Sequence, residues 1–370
     1  MTVLSCDFLH LGSYMDKIAF PYRSSSHLIL LHVIAESGSW EKYGLEVDYD
    51  RKIGSVDSQR GVEAGDIEFV GGNHVSTYGL RARGSDWTYL GQTVNEVKHQ
   101  LVVRADSGIN DIADLRGKKL GGAGSHPILN NWLYLKQRGL DQDRDDYELV
   151  CQELFKPGTM DEVESDKKPP PLWKWVQDGV VDAALLGVPA SLLAKAAGLK
   201  VIDVDSLPMI QFSSISTSMR FVQKHPDIVE RFLKGVLEGI HFFKTKPEES
   251  TKIIQRRYTK SGQLTREQAA FTQHWLAGTL EPKLYPNMTA IANVYEEALR
   301  QDKDARKVNP MALWDLHHLR RLDGFISDLY GDKKGDEQRH DHDHGKAATV
   351  PTQSAAVDHT DCDEACAATH

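Results

Sequence analysis

The sequence predicts an α/β protein of two globular domains whose carboxyl end is helical. Three observations carry that reading. The chain has 370 residues, and at roughly 100–200 residues per domain this is more than one small core holds. Short apolar runs of strand type alternate with helical stretches from Lys17 to about Val204, the pattern of largely parallel sheets. From Pro226 to about Tyr330 the apolar residues recur at helical spacing.

The elements follow in order. A short strand from Lys17 leads through Pro21 to Ser26 into a helix from His27 to Ser37, with Ser24, Ser25 and Ser26 as candidate caps whose hydroxyls satisfy open first-turn amides. Gly44 stops a short amphipathic piece, and Leu45, Val47 and Tyr49 alternate as a strand does. A helix containing Val62 and Ala64 precedes the buried-strand run Ile67 to Val70, which ends in Gly71-Gly72-Asn73-His74. Strands are then expected at Trp87 to Gly91, His99 to Arg104 and Leu120 to Gly122. After Gly124-Ser125-His126-Pro127 a helix runs from Ile128 to Arg138, Ser125 being placed to cap it. Strands follow at Glu148 to Leu154 and Asp182 to Gly187, separated by a polar loop with three successive prolines at 169–171 and a helix from Leu172. A helix through Ala197, a strand at Val201 to Val204 and a serine-rich strand at Phe212 to Ser218 complete the alternation before the helical end. Residues 333–370 lack apolar periodicity and read as a disordered tail.

Composition excludes several classes. The 44 basic and 53 acidic residues give a net charge of −9, which opposes a nucleic-acid-coating surface. No apolar stretch reaches the roughly 18 residues of a membrane-spanning helix. Met1 to Phe20 carries Asp7, His10, Asp16 and Lys17 where a secretory peptide needs a basic start and an unbroken apolar run, so a cytoplasmic location is expected. Cys6, Cys151, Cys362 and Cys366 do not form the dense framework of a stapled secreted domain.

In open α/β sheets ligands sit beyond the carboxyl ends of strands, where helix amino termini point free amides inward. Three such loops each hold a histidine: His27 after Ser25, His74 after Gly71-Gly72-Asn73, and His126 after Gly124-Ser125. These imidazoles either face one cleft, binding an anion or moving a proton near neutral pH, or complete helix caps. The paired glycines allow the close backbone approach an anion nest requires, and Gly187 closes a further strand. Pro127 occupies the third glycine of a dinucleotide fingerprint, which removes nicotinamide and flavin binding. No two of the three histidines share a local metal-ligand spacing, so no cofactor is expected in the cleft. Ser213, Ser214 and Gln92 supply uncharged donors, while Tyr22 offers a stacking face and Arg23 a fork for carboxylate or sulfonate. In the tail, His340, His342 and His344 with Cys362 and Cys366 are candidate ligands for a divalent metal, or a solvated acidic segment that binds none.

The order of motifs resembles a known family. Ala35 to Val47 (AESGSWEKYGLEV), Gly65 to Gly71 (GDIEFVG), Ile109 to Gly121 (INDIADLRGKKLG), Gly179 to Gly187 (GVVDAALLG) and Phe221 to Lys234 (FVQKHPDIVERFLK) resemble the nitrate/sulfonate/taurine solute-binding proteins, which share a fold with the thiamine-pyrimidine synthases and an aromatic sulfinate desulfinase. The resemblance implies a two-lobed, type II periplasmic-binding-protein-like fold with a central ligand cleft. Lobe one would span 1–97 plus 212–330 and lobe two 98–211, with hinge strands near His99 to Arg104 and Phe212 to Ser218. It also implies a small organic anion, an aromatic or heterocyclic carboxylate, sulfinate or sulfonate, as ligand. The desulfinase's nucleophilic cysteine falls near Ser25 here, and the cysteine-rich run of the pyrimidine synthases is absent. On this basis a lyase or hydrolase with His27, His74 and Ser25 as its catalytic groups is expected, and the alternative is a transporter's substrate-binding protein that meets a permease.

Overall fold

The computed structural model describes residues 15–23, 27–123, 129–152, 169–259 and 264–331. The first part of the chain contributes β1 (Asp16–Ala19), α1 (Leu28–Glu36), β2 (Leu45–Asp48), α2 (Ser55–Ala64), β3 (Val70–Gly71), α3 (Ser76–Ala82) and β4 (Trp87–Val97). The middle contributes β5 (Gln100–Val103), β6 (Lys119–Ala123), α4 (Leu129–Lys136), β7 (Glu148–Gln152), α5 (Leu172–Gln177), β8 (Ala183–Leu186), α6 (Ala190–Ala196) and β9 (Lys200–Asp203). Then come β10 (Leu207–Ser218), α7 (Met219–Lys224), α8 (Pro226–Thr245), α9 (Pro247–Thr259), α10 (Arg266–Thr279), α11 (Met288–Gln301), α12 (His317–Arg321) and α13 (Asp323–Tyr330).

Two sheets share one plan. Five strands of the middle region form a sheet in the order β7-β6-β8-β5-β9. In the other, β1 pairs parallel with β2 and β10 lies between β3 and β4. Tyr22 bridges in parallel to both Lys52 and Gly71, and Phe69 N donates to Ala19 O at 3.1 Å, which gives the order β2-β1-β3-β10-β4. One strand in each sheet is antiparallel to its neighbours, β5 in one and β10 in the other. Each of these is the strand whose chain has just arrived from the other sheet, so it enters against the direction set by the βαβ units. Largely parallel sheets are therefore what the alternation produces, with one reversed strand apiece.

Three boundaries differ from the sequence reading. β3 is confined to Val70–Gly71 because the amides of Asp66 and Ile67 are taken by Gly61 O in closing α2. β4 and β10 outrun their predicted limits because they pair with each other from Trp87↔Ser218 to Val97↔Leu207. The chain accordingly crosses between sheets at Lys98 and His99 and again at residues 204–206, the latter earlier than Phe212.

Helix α8 anchors the first sheet. Val229, Phe232, Leu233, Val236, Ile240 and Phe243 form its buried stripe, and Phe232 stacks on Phe69 with ring centroids 4.0 Å apart. On its α1 side, a Cβ at Gly239 would stand 2.5 Å from Ile34 Cγ1, so only glycine lets the two helices approach this closely. With α1 held down, His27 sits at the opening of that helix beside the carboxyl ends of β1 and β3.

Candidate functional site

The loop after β1 carries Tyr22 and Arg23, and the loop after β3 carries Gly71 to His74. Arg23 reaches across to them: its Nε donates to Asn73 Oδ1 at 2.8 Å and its Nη1 to Ile53 O at 2.7 Å. Asn73 adopts φ 60°, a conformation asparagine tolerates better than most residues, and is pinned by Nδ2 donating to Ser58 Oγ at 2.7 Å and by Tyr89 Oη donating to its carbonyl at 2.7 Å. Burial lowers the pKa of Arg23 from its ordinary value, yet its described bonds all go to neutral acceptors. No carboxylate pairs with this half-buried positive charge among the described residues.

Glycine is required against the aliphatic stem of Arg23. Gly72 has φ +111°, and a Cβ there would meet Arg23 Cγ at 2.9 Å. At Gly71 the missing side chain lets Ser213 and His27 pack close to the backbone, since a Cβ would lie 3.2 Å from Ser213 Oγ and 3.6 Å from His27 Nδ1. Both of those atoms are buried without a hydrogen-bond partner among the described residues, in residues that are 1% and 4% exposed. Burial, then His74 and Arg23, depress the His27 pKa to about 3, so its imidazole is neutral at pH 7.

His74 is held differently. Its Nδ1 lies 3.0 Å from Ser214 Oγ, Ser214 in turn donates to Gln92 Oε1, and Gln92 Nε2 donates to Gln211 O at 2.6 Å. Burial lowers the His74 pKa to about 4, opposed by a hydrogen bond to the Phe212 backbone and reinforced by Arg23. Neither imidazole caps a helix: α1 has no side-chain cap from His27, and His74 is engaged with β10.

A cavity of about 430 Å³ opens beside this cluster. On β4 and just beyond it, Val94, Glu96 and Lys98 point to it at every second residue, as strand alternation dictates. Phe212 and Tyr258 supply apolar faces, and Trp275 a third, over which Lys98 Nζ lies 4.7 Å from the ring centroid. Gly187 to Ala190, following β8, form the wall contributed by the other sheet. Phe212 joins the cavity wall to the cluster, because its ring also packs on His27 at 5.4 Å.

The structure thus gathers Arg23, His27, Gly71, Gly72, Asn73, His74, Ser213 and Ser214 at one place, with Gln92 buried behind them. Gly187 is on the cavity wall, and Tyr22 stands near Tyr258, whose pKa is pushed up to about 12 by burial first and then by Tyr22 and Asp50. Ser25, Gly124, Ser125, His126 and the tail residues His340, His342, His344, Cys362 and Cys366 lie outside the described residues. Sequence reasoning missed Glu96, Lys98, Phe212, Tyr258 and Trp275. The alternation of Val94, Glu96 and Lys98 was a usable signal, whereas Tyr258 and Trp275 arrive from distant helices. Among the described residues no group of three or more His, Cys, Asp or Glu could hold a metal ion, and no helix is long and apolar enough to cross a membrane.

Known proteins share this architecture. The periplasmic aliphatic sulphonate binding protein SsuA from Escherichia coli superposes with a TM-score of 0.57 at 16% identity, over 80% of this chain and 98% of that one. The alkanesulfonate-binding protein SsuA from Xanthomonas axonopodis pv. citri, bound to MOPS, gives 0.58 at 14% identity, over 81% and 98%. A mutant of the desulfurization enzyme DszB in complex with biphenyl-2-sulfinic acid gives 0.55 at 17% identity, over 83% and 98%. At these identities the likeness is one of fold, and it establishes the two-lobed α/β binding-protein architecture. No curated protein matches the sequence. Residues 26–250 match the family model described as NMT1/THI5 like; this is more than half of the chain, which therefore belongs to the NMT1/THI5-like family.

Proposed function

We propose that the protein binds a small organic acid with a flat apolar body, its acid group held at Arg23 and its body in the adjoining cavity. The observation that carries this reading is the half-buried Arg23 guanidinium, bonded among the described residues only to neutral acceptors. A bidentate acid group supplies the missing charge and matches the planar fork. The aromatic faces of Phe212, Tyr258 and Trp275 around a cavity of about 430 Å³ suit a ring-sized body, and the sulfonate- and sulfinate-binding neighbours have the same fold. Thermal-shift and calorimetric titrations with aryl carboxylates, sulfinates and sulfonates test it against their neutral amides. Stabilisation by the acids alone is expected, and equal stabilisation by the amides overturns the reading.

A second reading, a lyase or hydrolase using His27, His74 and Ser25, draws support from the likeness to DszB and from His27 Nδ1, which has no hydrogen-bond partner among the described residues. Against it, general bases work best with a pKa near the operating pH, and burial holds these imidazoles at about 3 and about 4. Binding without chemistry is the better supported of the two, and it would make a transporter's permease the natural partner. Recovery of the bound acid unchanged after prolonged incubation is expected; formation of sulfite or carbon dioxide from it would restore the enzyme reading.

A further inference from the structure

The face that β4 turns to the cavity ends in two opposite charges. Val94, Glu96 and Lys98 share that face, as strand alternation requires, whereas Val97 between the last two is buried in the core. On β10, Gln211 and Phe212 are consecutive yet both line the cavity. Phe212 adopts φ +65° within the register shift between Gln211 and Ser214, and this kink brings its ring to the same space as Glu96. An acid, a base and aromatic walls therefore surround one cavity.

Lys98 does not neutralise Glu96. Alternate residues of a strand stand about 7 Å apart along it, and the Lys98 ammonium lies instead over Trp275, 4.7 Å from the ring centroid. That ring is itself stacked on Phe271 at 5.9 Å. An exposed ion pair and an exposed cation–π contact are of similar strength, so the aromatic shelf is enough to keep Lys98 from Glu96. Among the described residues the half-buried Glu96 side chain makes no hydrogen bond or ion pair. Its neighbour Asn95 is fully engaged by contrast, Nδ2 donating to Tyr285 O at 2.8 Å and Oδ1 accepting from Asn287 N at 2.8 Å. Asn95 thus ties the strand to the following segment, while Glu96 has no structural partner and faces the cavity.

We propose that Glu96 reads a positively charged nitrogen on the ligand's body, so that the substrate class is an aryl acid that also bears an amine. This rests on the organic-acid reading above and narrows it. The acid group meets Arg23, the ring lies among Phe212, Tyr258 and Trp275, and the ammonium meets the Glu96 carboxylate in a charge-assisted hydrogen bond. Lys98 takes part by staying on Trp275, which leaves that carboxylate free. A second acid group at Lys98 is the weaker alternative, because it would draw the ammonium off its aromatic shelf and place an anion beside Glu96.

The test measures calorimetric affinities of para-aminomethylbenzoate, para-methylbenzoate and terephthalate for wild type, Glu96→Gln and Lys98→Met, each variant checked for folding by circular dichroism and melting. Both substitutions keep the side chain's length, and neither residue belongs to the core. Wild type should bind para-aminomethylbenzoate about tenfold more tightly than para-methylbenzoate. In Glu96→Gln that ratio should fall to about one, while the affinity for para-methylbenzoate stays within about twofold of wild type. In Lys98→Met the ratio should hold or rise, since a like charge has been removed. A wild-type ratio near one, a ratio that survives Glu96→Gln or a ratio lost in Lys98→Met overturns the proposal. So does a preference for terephthalate that Lys98→Met abolishes, which would make Lys98 the reader of a second acid. Failure of wild type to bind any of the three benzoates defeats the organic-acid reading instead. Glu96 is then decided by benzylamine against benzyl alcohol, neither of which carries an acid group, in NMR chemical-shift titrations. The amine alone should perturb wild type, and equal perturbation by the alcohol, or by the amine in Glu96→Gln, overturns the role of Glu96.

Discussion

Arg23 owes its role to its surroundings. The same side chain on an exposed loop would be a solvated charge, but the bonds to Asn73 and Ile53 fix its plane, and burial leaves its charge without water to disperse it. Charge-assisted hydrogen bonds are worth about 1.5–3 kcal/mol each, so Arg23→Gln should weaken acid binding roughly 10–100-fold with little change in melting temperature, by calorimetry and thermal scanning. Affinity within twofold of wild type would remove Arg23 from the site. The imidazoles give a second prediction. His27 and His74 titrate near 3 and 4 in the folded protein and near 6.5 unfolded, so between those values the unfolded chain binds more protons and stability falls as pH drops. Each contributes a slope of up to about 1.4 kcal/mol per pH unit, and His27→Gln should flatten urea-measured stability against pH between about 6 and 4. An unchanged slope would mean that His27 is not buried neutral. Arg23, His27 and the paired glycines were readable in the sequence because each follows a predicted strand. Phe212 was not, since nothing local in a serine-rich strand announces a kink that depends on its pairing with β4.

At the scale of elements, α8 was the most legible and also holds the sharpest packing constraint. Its apolar spacing identifies the buried face, but the sequence does not say that Gly239 lies against α1 and Gly235 against Trp40 beyond it, where a Cβ would come 2.5 Å from Ile34 Cγ1 and 2.3 Å from Trp40 Cδ1 respectively. Two effects compete in Gly239→Ala. Helix propensity favours alanine by up to about 1 kcal/mol, while forcing a methyl group into a filled interface typically costs about 1–3 kcal/mol. Overpacking should win because the obstructing atoms belong to buried, β-branched Ile34, which has no free rotamer to retreat into. Net destabilisation by denaturant titration is expected, and because α1 carries His27 at its start, acid affinity should fall with it. A variant as stable as wild type would show that the helices can separate freely. Strand lengths were the least legible elements, because β3, β4 and β10 end where their partners end rather than where their own apolar runs do.

For the whole molecule, the decisive feature is that two sheets of the same strand order are joined by two chain crossings, at Lys98–His99 and at residues 204–206, and by a shared apolar cluster that includes Tyr89, Leu101 and Ile291. The cavity lies against the first crossing, through Glu96, Lys98 and His99, and is walled on one side by Gly187 to Ala190 beyond β8. A ligand there touches both sheets at once. If the proposed acid binds there, it would favour an arrangement with the two sheets approached over one with them separated, and that difference in affinity would shift the population. The resemblance leads one to expect two lobes, and the crossings at Lys98–His99 and at residues 204–206 put the expected boundary at the second crossing before Phe212, because β10 pairs with β4 from Leu207 onward. Small-angle scattering should then show a smaller radius of gyration when wild type is saturated with an aryl acid than when it is free, and no such change in Arg23→Gln at the same concentration. Identical scattering with and without saturating ligand would mean that the lobes are already as close as the ligand requires, leaving the cavity as a preformed site whose affinity comes from Arg23 and the aromatic walls alone.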